Sequence, residues 1–265
     1  MKSKIFVKNT QETDIMIDGV KLHVLRTNNF PDRPTIIFLH ESFGCIELWK
    51  DFPIMLGEKT KCNILIYDRQ GYGKSDPFSV KKRTNDYLEK EADILYKILK
   101  HLEIKNAILF GHSDGANISL ITASRYPENI LAVISEAAHL FVEDITRKGI
   151  NDAIDKYEHS DLKQKLEKYH SGKTDALFYA WADIWLSESF VKWNMEHFLP
   201  NIKCPVLVIQ GTEDEYGSME QVNSVVNNVK SYVSQLIIQG TGHSPHLKAK
   251  ELVLNEVSCF IINTL

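Results

Sequence analysis

The chain is poor in the features that mark specialised classes of protein. Its four cysteines, Cys45, Cys62, Cys204 and Cys259, lie far apart among 265 residues and show no C-x-x-C spacing. That excludes a disulfide scaffold and points to neither a zinc site nor a redox pair, so four reduced, mostly buried thiols are expected. No apolar run approaches the roughly 20 residues of a membrane span, and "MKSKIFVKNTQETD" at the start has no signal-peptide core, which predicts a cytoplasmic protein with no membrane contact. Neither sign of charge dominates: 31 basic and 35 acidic residues are spread along the chain for a net charge of −4, which gives no reason to expect nucleic acid as a partner. Internal repeats, low-complexity tracts and Pro/Gly-rich linkers are also missing. The N-x-S sequence at Asn117 falls inside an expected helix and is read as chance.

What is present is an ordinary globular composition, 43% hydrophobic and 25% charged, which removes disordered and collagen-like classes. The length suits one large α/β domain, with room for an inserted subdomain. The stretch "DIMIDGVKLHVLR" alternates polar and apolar residues around Asp18-Gly19, predicting an antiparallel hairpin within the first 26 residues. Continuous apolar runs follow at 35–40, 63–68, 107–112, 130–137 and 204–211, with a further strand at 234–240. Runs of this kind are strands buried on both faces. Helical periodicity at 48–60, 85–102, 114–126, 219–229 and 249–264 alternates with them, so a mostly parallel sheet covered by helices on both faces is expected.

One interval breaks the alternation. Between 138 and 202 no strand run appears, and helical patterns carry Trp181, Trp185 and Trp193 with several other aromatics. More than 60 residues is too long for a plain loop. A helical cap at 138–202, inserted into a core domain of 1–137 and 203–265, is expected, with its tryptophans either packing it onto the core or, as for Trp181 and Trp185, lining a substrate pocket.

In an open parallel sheet, ligands gather beyond the carboxyl ends of the strands. Those ends carry His40, Glu41 and Ser42, then Asp68, Ser113, Glu136, Asp214 and finally His243. Ser113 sits in "FGHSDGAN", with an apolar run before it and a helical pattern after it, the strand–turn–helix context of a nucleophile elbow. Gly111 and Gly115 leave room for the sharp turn. A serine hydroxyl needs a base, and His243 in "QGTGHSPH" is the candidate, with His246 its nearest rival. Asp214 in "GTEDEYG" would orient the imidazole, with Glu136 as the alternative acid. The backbone N–H groups of Ser42 and Asp114 are the candidate oxyanion donors.

Together, "LHESFG", "YDRQGYGKSDP", "GHSDG", "GTEDEYG" and "GTGHSPH" resemble the motifs of the α/β-hydrolase-fold serine hydrolases over the chain from about Thr35 onward. The resemblance implies the α/β-hydrolase fold, acyl-serine chemistry and a structural role for Asp68 and Arg69. In most relatives His-Gly stands where this chain has His40-Glu41. The elbow and the segment after it are similar to the biphenyl hydrolase-like (valacyclovir hydrolase) branch, in which the residue matching Asp114 binds the substrate's α-amino group. Asp114, Glu41, Trp181 and Trp185 are accordingly the expected substrate contacts. The resemblance implies a small-molecule carboxylic ester as substrate, with an α-amino-acid ester as the narrower form of that expectation. A carbon–carbon bond hydrolase or lactonase with the same triad is the first alternative, and a non-catalytic ligand-binding receptor the second. No metal or organic cofactor is implied, because the triad and oxyanion donors supply every catalytic part.

Overall fold

The structure is a computed structural model and describes residues 10–265; the part of the N-terminal reading that falls on residues 1–9 lies outside them. Two strands, β1 (Thr10–Ile17) and β2 (Val20–Thr27), form the hairpin, turning through Asp18 and Gly19 at φ 50° and 81°. A two-residue turn with both φ values positive matches strand twist, which is why Asp-Gly serves there. Six further strands follow: β3 (Thr35–Leu39), β4 (Asn63–Tyr67), β5 (Ala107–His112), β6 (Ile130–Glu136), β7 (Val206–Gly211) and β8 (Val233–Ile238). Among the described residues they make one sheet in the order β1-β2-β4-β3-β5-β6-β7-β8, antiparallel through β2–β4 and parallel from there on.

The apolar runs are continuous because both faces of the sheet are covered. Along β3, Ile36 and Phe38 join one buried cluster while Ile37 and Leu39 join the other; β5 divides likewise, Ile108 and Phe110 against Leu109. Successive side chains point to opposite faces, so this division puts a helix layer on each side. Each such side chain contributes about 1.5–3 kcal/mol when fully buried. Helices α1 (Phe52–Thr60), α2 (Tyr87–His101), α3 (Asp114–Arg125), α7 (Met219–Asn228) and α9 (Lys250–Thr264) lie close to the periods read from sequence, and the one-turn helix α8 (Pro245–Lys248) follows His243. The first helical period starts as a short 3-10 turn at Ile46–Trp49, ahead of Pro53 in the opening turn of α1.

Between β6 and β7 the chain forms α4 (Asp144–His159), α5 (Leu162–His170) and α6 (Thr174–Leu186). It leaves and returns at one place: a single antiparallel bridge joins Phe141 to Asn194, and Met195 N–H donates to Leu140 C=O at 2.8 Å. All four cysteines are free, with Cys259 exposed and the rest buried. Burial raises the Cys45 thiol to about 12 and the Cys204 thiol to about 11, leaving both as inert packing groups. Among the described residues no helix is long and apolar enough to cross a membrane.

Candidate active site

Chain order places β3 between β4 and β5, so the connections leave it in opposite directions and open a crevice at their carboxyl ends. Ser42 follows β3 and Ser113 follows β5, on the two sides of that crevice. Ser113 has φ 55° and ψ −119°, a conformation uncommon for a residue with a side chain, and it is only 8% exposed. The surroundings enforce the turn. Its N–H donates to Glu136 C=O at 2.9 Å, and its C=O accepts from Ala116 N–H at 2.8 Å. A Cβ on Gly111 would lie 2.1 Å from Gly115 O, and one on Gly115 would lie 1.9 Å from Leu39 O, so the elbow backbone packs directly on neighbouring backbone.

His243 and Asp214 meet after β8 and β7. The His243 Nδ1 lies 2.9 Å from both Asp214 carboxylate oxygens. Gln210 Nε2 donates to Oδ2 at 2.8 Å and Tyr216 N–H to Oδ1 at 2.9 Å, so the carboxylate is held in place before it holds the ring. Burial works against ionisation of Asp214, but the His243 charge and hydrogen bond, with further donors, outweigh it and lower the pKa. Burial alone would lower the His243 pKa; the Asp214 carboxylate, and beyond it Glu41 and Glu215, raise it above the ordinary 6.5. The Nδ1 contact leaves Nε2 as the ring nitrogen available to the cavity that Ser113 and His243 both line. No hydrogen bond joins these two side chains among the described residues, and nucleophile–base contacts of this kind commonly tighten only when substrate is bound.

Raised ring basicity has a measurable consequence. For any reaction in which His243 acts as the neutral general base, the acid limb of the kcat/KM profile should lie above pH 6.5, and Glu41→Gln or Glu215→Gln should move it to lower pH by removing a negative charge that favours the imidazolium. Glu215→Gln is the cleaner case, because an amide oxygen still accepts the His243 N–H that Glu215 Oε2 receives at 3.0 Å.

The alternatives of the sequence resolve differently. Glu136, fully buried, bonds through Oε1 to His246 Nδ1 at 2.5 Å, and is thus the partner of the rival histidine rather than of His243. His246 lies against Trp49, with ring centroids 4.8 Å apart, and is not among the residues that line the cavity. His112 Nε2 lies 2.7 Å from His243 C=O, tying the base's loop to β5. His112, Glu136 and His246 offer ligand atoms within 4.8 Å of one another; His112 Nε2, Glu136 Oε1 and His246 Nδ1 hydrogen-bond within the protein, while Glu136 Oε2 has no partner there.

On the oxyanion side, His40 and Arg69 shape the turn that carries Ser42. Arg69 N–H donates to His40 Nε2 at 3.1 Å, His40 Nδ1–H donates to Glu41 C=O at 2.7 Å, and Arg69 Nη2 donates to the same carbonyl at 3.1 Å. Burial and the Arg69 charge keep His40 neutral, which this donor–acceptor pattern requires. Phe43 N–H donates to the Glu41 carboxylate, and Glu41 holds this turn without a positive φ. No internal acceptor takes the Ser42 or Asp114 N–H among the described residues. The structural role implied for Asp68 is seen in its two carboxylate oxygens, which accept from Ile46 N–H at 2.7 Å and Lys74 N–H at 2.8 Å.

Asp114, an expected substrate contact, lines the cavity, and its carboxylate is engaged inside the protein. Its carboxylate is 2% exposed, accepts from Tyr87 OH at 3.0 Å, and faces Arg69 Nη1 at 3.7 Å and Arg83 Nη1 at 3.6 Å. Its charge is met inside the protein by two guanidinium groups. Glu41, Trp181 and Trp185, the other expected contacts, line the same cavity, whose volume is about 370 Å³. Residues that sequence did not single out line it too: Phe43, His139, Thr146, Ile150 and Tyr216. Of these only His139 carried a signal, as a polar residue just beyond the end of β6.

Comparison with known proteins agrees with this fold. A family model described as alpha/beta hydrolase fold matches residues 34–189. Serine hydrolase BPHL of Homo sapiens is 26% identical over 250 residues, covering 92% of this chain and 84% of its own. Among solved structures, the proline iminopeptidase of Mycobacterium smegmatis superposes with a TM-score of 0.73 at 16% identity, covering 96% of this chain and 98% of its own. The enol-lactonase of Burkholderia xenovorans LB400 also gives 0.73 at 16% identity, with 94% and 99% coverage. Two structures so different in named substrate share the fold equally well, so the fold by itself selects no substrate.

Proposed function

Because the chain belongs to the alpha/beta hydrolase fold family, we propose that it is a serine hydrolase that cleaves small carboxylic esters through an acyl-serine intermediate. The observation that carries this reading is the elbow: a serine forced to φ 55° at the β3/β5 crevice, opening on the same cavity as a histidine whose other nitrogen is held by a buried carboxylate.

The steps follow from positions. Ser113 Oγ attacks the ester carbonyl carbon as its proton passes to His243 Nε2, and Asp214 stabilises the imidazolium through Nδ1–H. The carbonyl oxygen becomes an oxyanion held by the Ser42 and Asp114 N–H groups, aided by the N-terminus of α3. Collapse breaks the bond to the alcohol, which leaves with the proton from His243. Water then attacks the acyl-serine, gives its proton to His243, and the acid departs as Ser113 recovers its hydrogen. The 138–202 segment acts as an inserted cap that covers the cavity with Thr146, Ile150, Trp181 and Trp185 and so selects the acyl or alcohol group.

An α-amino ester is not favoured through Asp114, since an ammonium approaching that carboxylate also approaches Arg69 and Arg83. A panel of 4-nitrophenyl acyl esters of graded length, with one aminoacyl ester and its des-amino analogue, tests both statements. Turnover of short acyl esters is expected, with the amino/des-amino ratio of kcat/KM unchanged in Asp114→Asn. No turnover anywhere on the panel contradicts the ester assignment, and a ratio that collapses in the variant restores the aspartate to amine binding.

A further inference from the structure

Three residues that line the cavity carry a buried side-chain polar atom with no hydrogen-bond partner in the protein: Ser42 Oγ, Asp114 Oδ2 and His139 Nε2. Asp114 Oδ2 faces the Arg69 and Arg83 guanidinium groups. Ser42 and His139 come from the loops after β3 and β6, the two strands that flank β5, and so stand on opposite sides of the nucleophile. Ser42 lies on the side already assigned to the oxyanion. His139 has no part in the steps above, yet its place is closely fixed. Its N–H donates to Asn117 Oδ1 at 3.1 Å, and Asn117 Nδ2 donates back to its C=O, so one amide on the nucleophile's own helix α3 holds the His139 backbone from both sides. The ring packs edge-on to Trp185 with centroids 5.5 Å apart, and lies 5.6 Å from the His243 ring. It is 4% exposed.

A buried ring nitrogen without a partner is costly, and such groups in folded proteins call for an explanation. We propose that His139 is a specificity residue whose ring hydrogen-bonds a hydroxyl group of the substrate close to the scissile ester. This rests on the proposed hydrolase activity and names the substrate class for that site. A hydroxyl is the group of choice for two reasons. Burial and the neighbouring His243 outweigh Asp214, Asp114 and Glu143 and bring the His139 pKa to about 4, so the ring is neutral wherever His243 can act as a base. A neutral imidazole presents one donor and one acceptor, and a hydroxyl can complement either. The cavity around it, Trp181, Trp185, Ile150 and Phe43, is otherwise largely apolar, so one polar contact discriminates well there. The hydroxyl can belong to the acyl group or to the alcohol, and the two are separable by experiment.

The test uses matched esters with purified full-length protein. The acyl arm compares 4-nitrophenyl 3-hydroxybutanoate with 4-nitrophenyl butanoate; the alcohol arm compares 2-hydroxyethyl butanoate with ethyl butanoate. In wild type, one arm is expected to favour the hydroxylated ester by about tenfold in kcat/KM. His139→Phe, which keeps an aromatic ring beside Trp185, should bring that ratio to about one, carried mainly by KM, while His139→Gln should recover part of it. Wild-type ratios near one in both arms overturn the proposal without recourse to any variant, as does a preference that survives in His139→Phe. Fluorophosphonate labelling of Ser113 in the same samples separates the causes. Labelled protein without hydroxyl preference defeats the His139 assignment alone, and wild-type protein that neither labels nor turns over any ester defeats the hydrolase reading with it.

Discussion

Ser113→Ala is expected to lower kcat for an active ester by about 10⁴–10⁶-fold while the protein stays folded, and His243→Ala by a similar factor. Each decade corresponds to about 1.4 kcal/mol of barrier, so the pair is being asked for some 5–8 kcal/mol. The two losses should not add, because either substitution alone disables the same proton transfer. Ser113 is also 8% exposed with no helix-capping hydrogen bond, so removing its hydroxyl leaves no stranded partner behind. Asp214→Asn should cost less than or about as much as either, since binding and the oxyanion donors still operate. Glu136→Gln separates the two candidate acids: its contact is with His246, so per folded molecule it should cost far less than Asp214→Asn. Kinetics on the four variants, with folding checked by circular dichroism, decide the matter. A near-silent Asp214→Asn beside a severe Glu136→Gln would reverse the assignment.

The second large effect is on stability. In Gly115→Ala the new Cβ would fall 1.9 Å from Leu39 O, an atom of the central β3 strand that cannot withdraw without breaking the sheet beside it. Overpacking against flexible side chains typically costs 1–3 kcal/mol, and against backbone it should exceed that, so about 3 kcal/mol or more is expected. For a domain whose whole stability is about 5–15 kcal/mol, this is a drop in Tm of roughly 6–12 °C or failure to accumulate. Gly217→Ala provides the comparison, since a Cβ there meets its nearest neighbour at an ordinary 3.4 Å. Equal melting temperatures for the two variants would show that the elbow is not packed as described.

Much of this was legible in the sequence, for identifiable reasons. The strands β3 to β7 announce themselves because burial on both faces demands unbroken apolar runs, and Ser113 because a strained turn between backbones tolerates only glycine on either side. Chain order also put Asp214 and His243 at neighbouring strand ends. Other features depend on contacts that no local pattern encodes. Which of Asp214 and Glu136 contacts His243 depends on the fold: Asp214 faces His243 and Glu136 faces His246. The neutralisation of Asp114 depends on Arg83, which lies in the polar stretch "KKRTND" where neither helical nor strand period marks it as buried. His139 owes its place to a clamp from Asn117, 22 residues earlier, and the same buried clamp leaves no room for a sugar at that N-x-S sequence. The helices between β6 and β7 were visible as helices, but which of their faces meets the cavity became clear only with Trp181 and Trp185 in position.

The most direct single measurement is peptide mass spectrometry after exposure of the folded protein to a fluorophosphonate. One adduct on the peptide that contains Ser113, formed rapidly in wild type and lost in His243→Ala, is the predicted result. Modification elsewhere, or a serine at 113 that reacts equally well without the imidazole of residue 243, would contradict it.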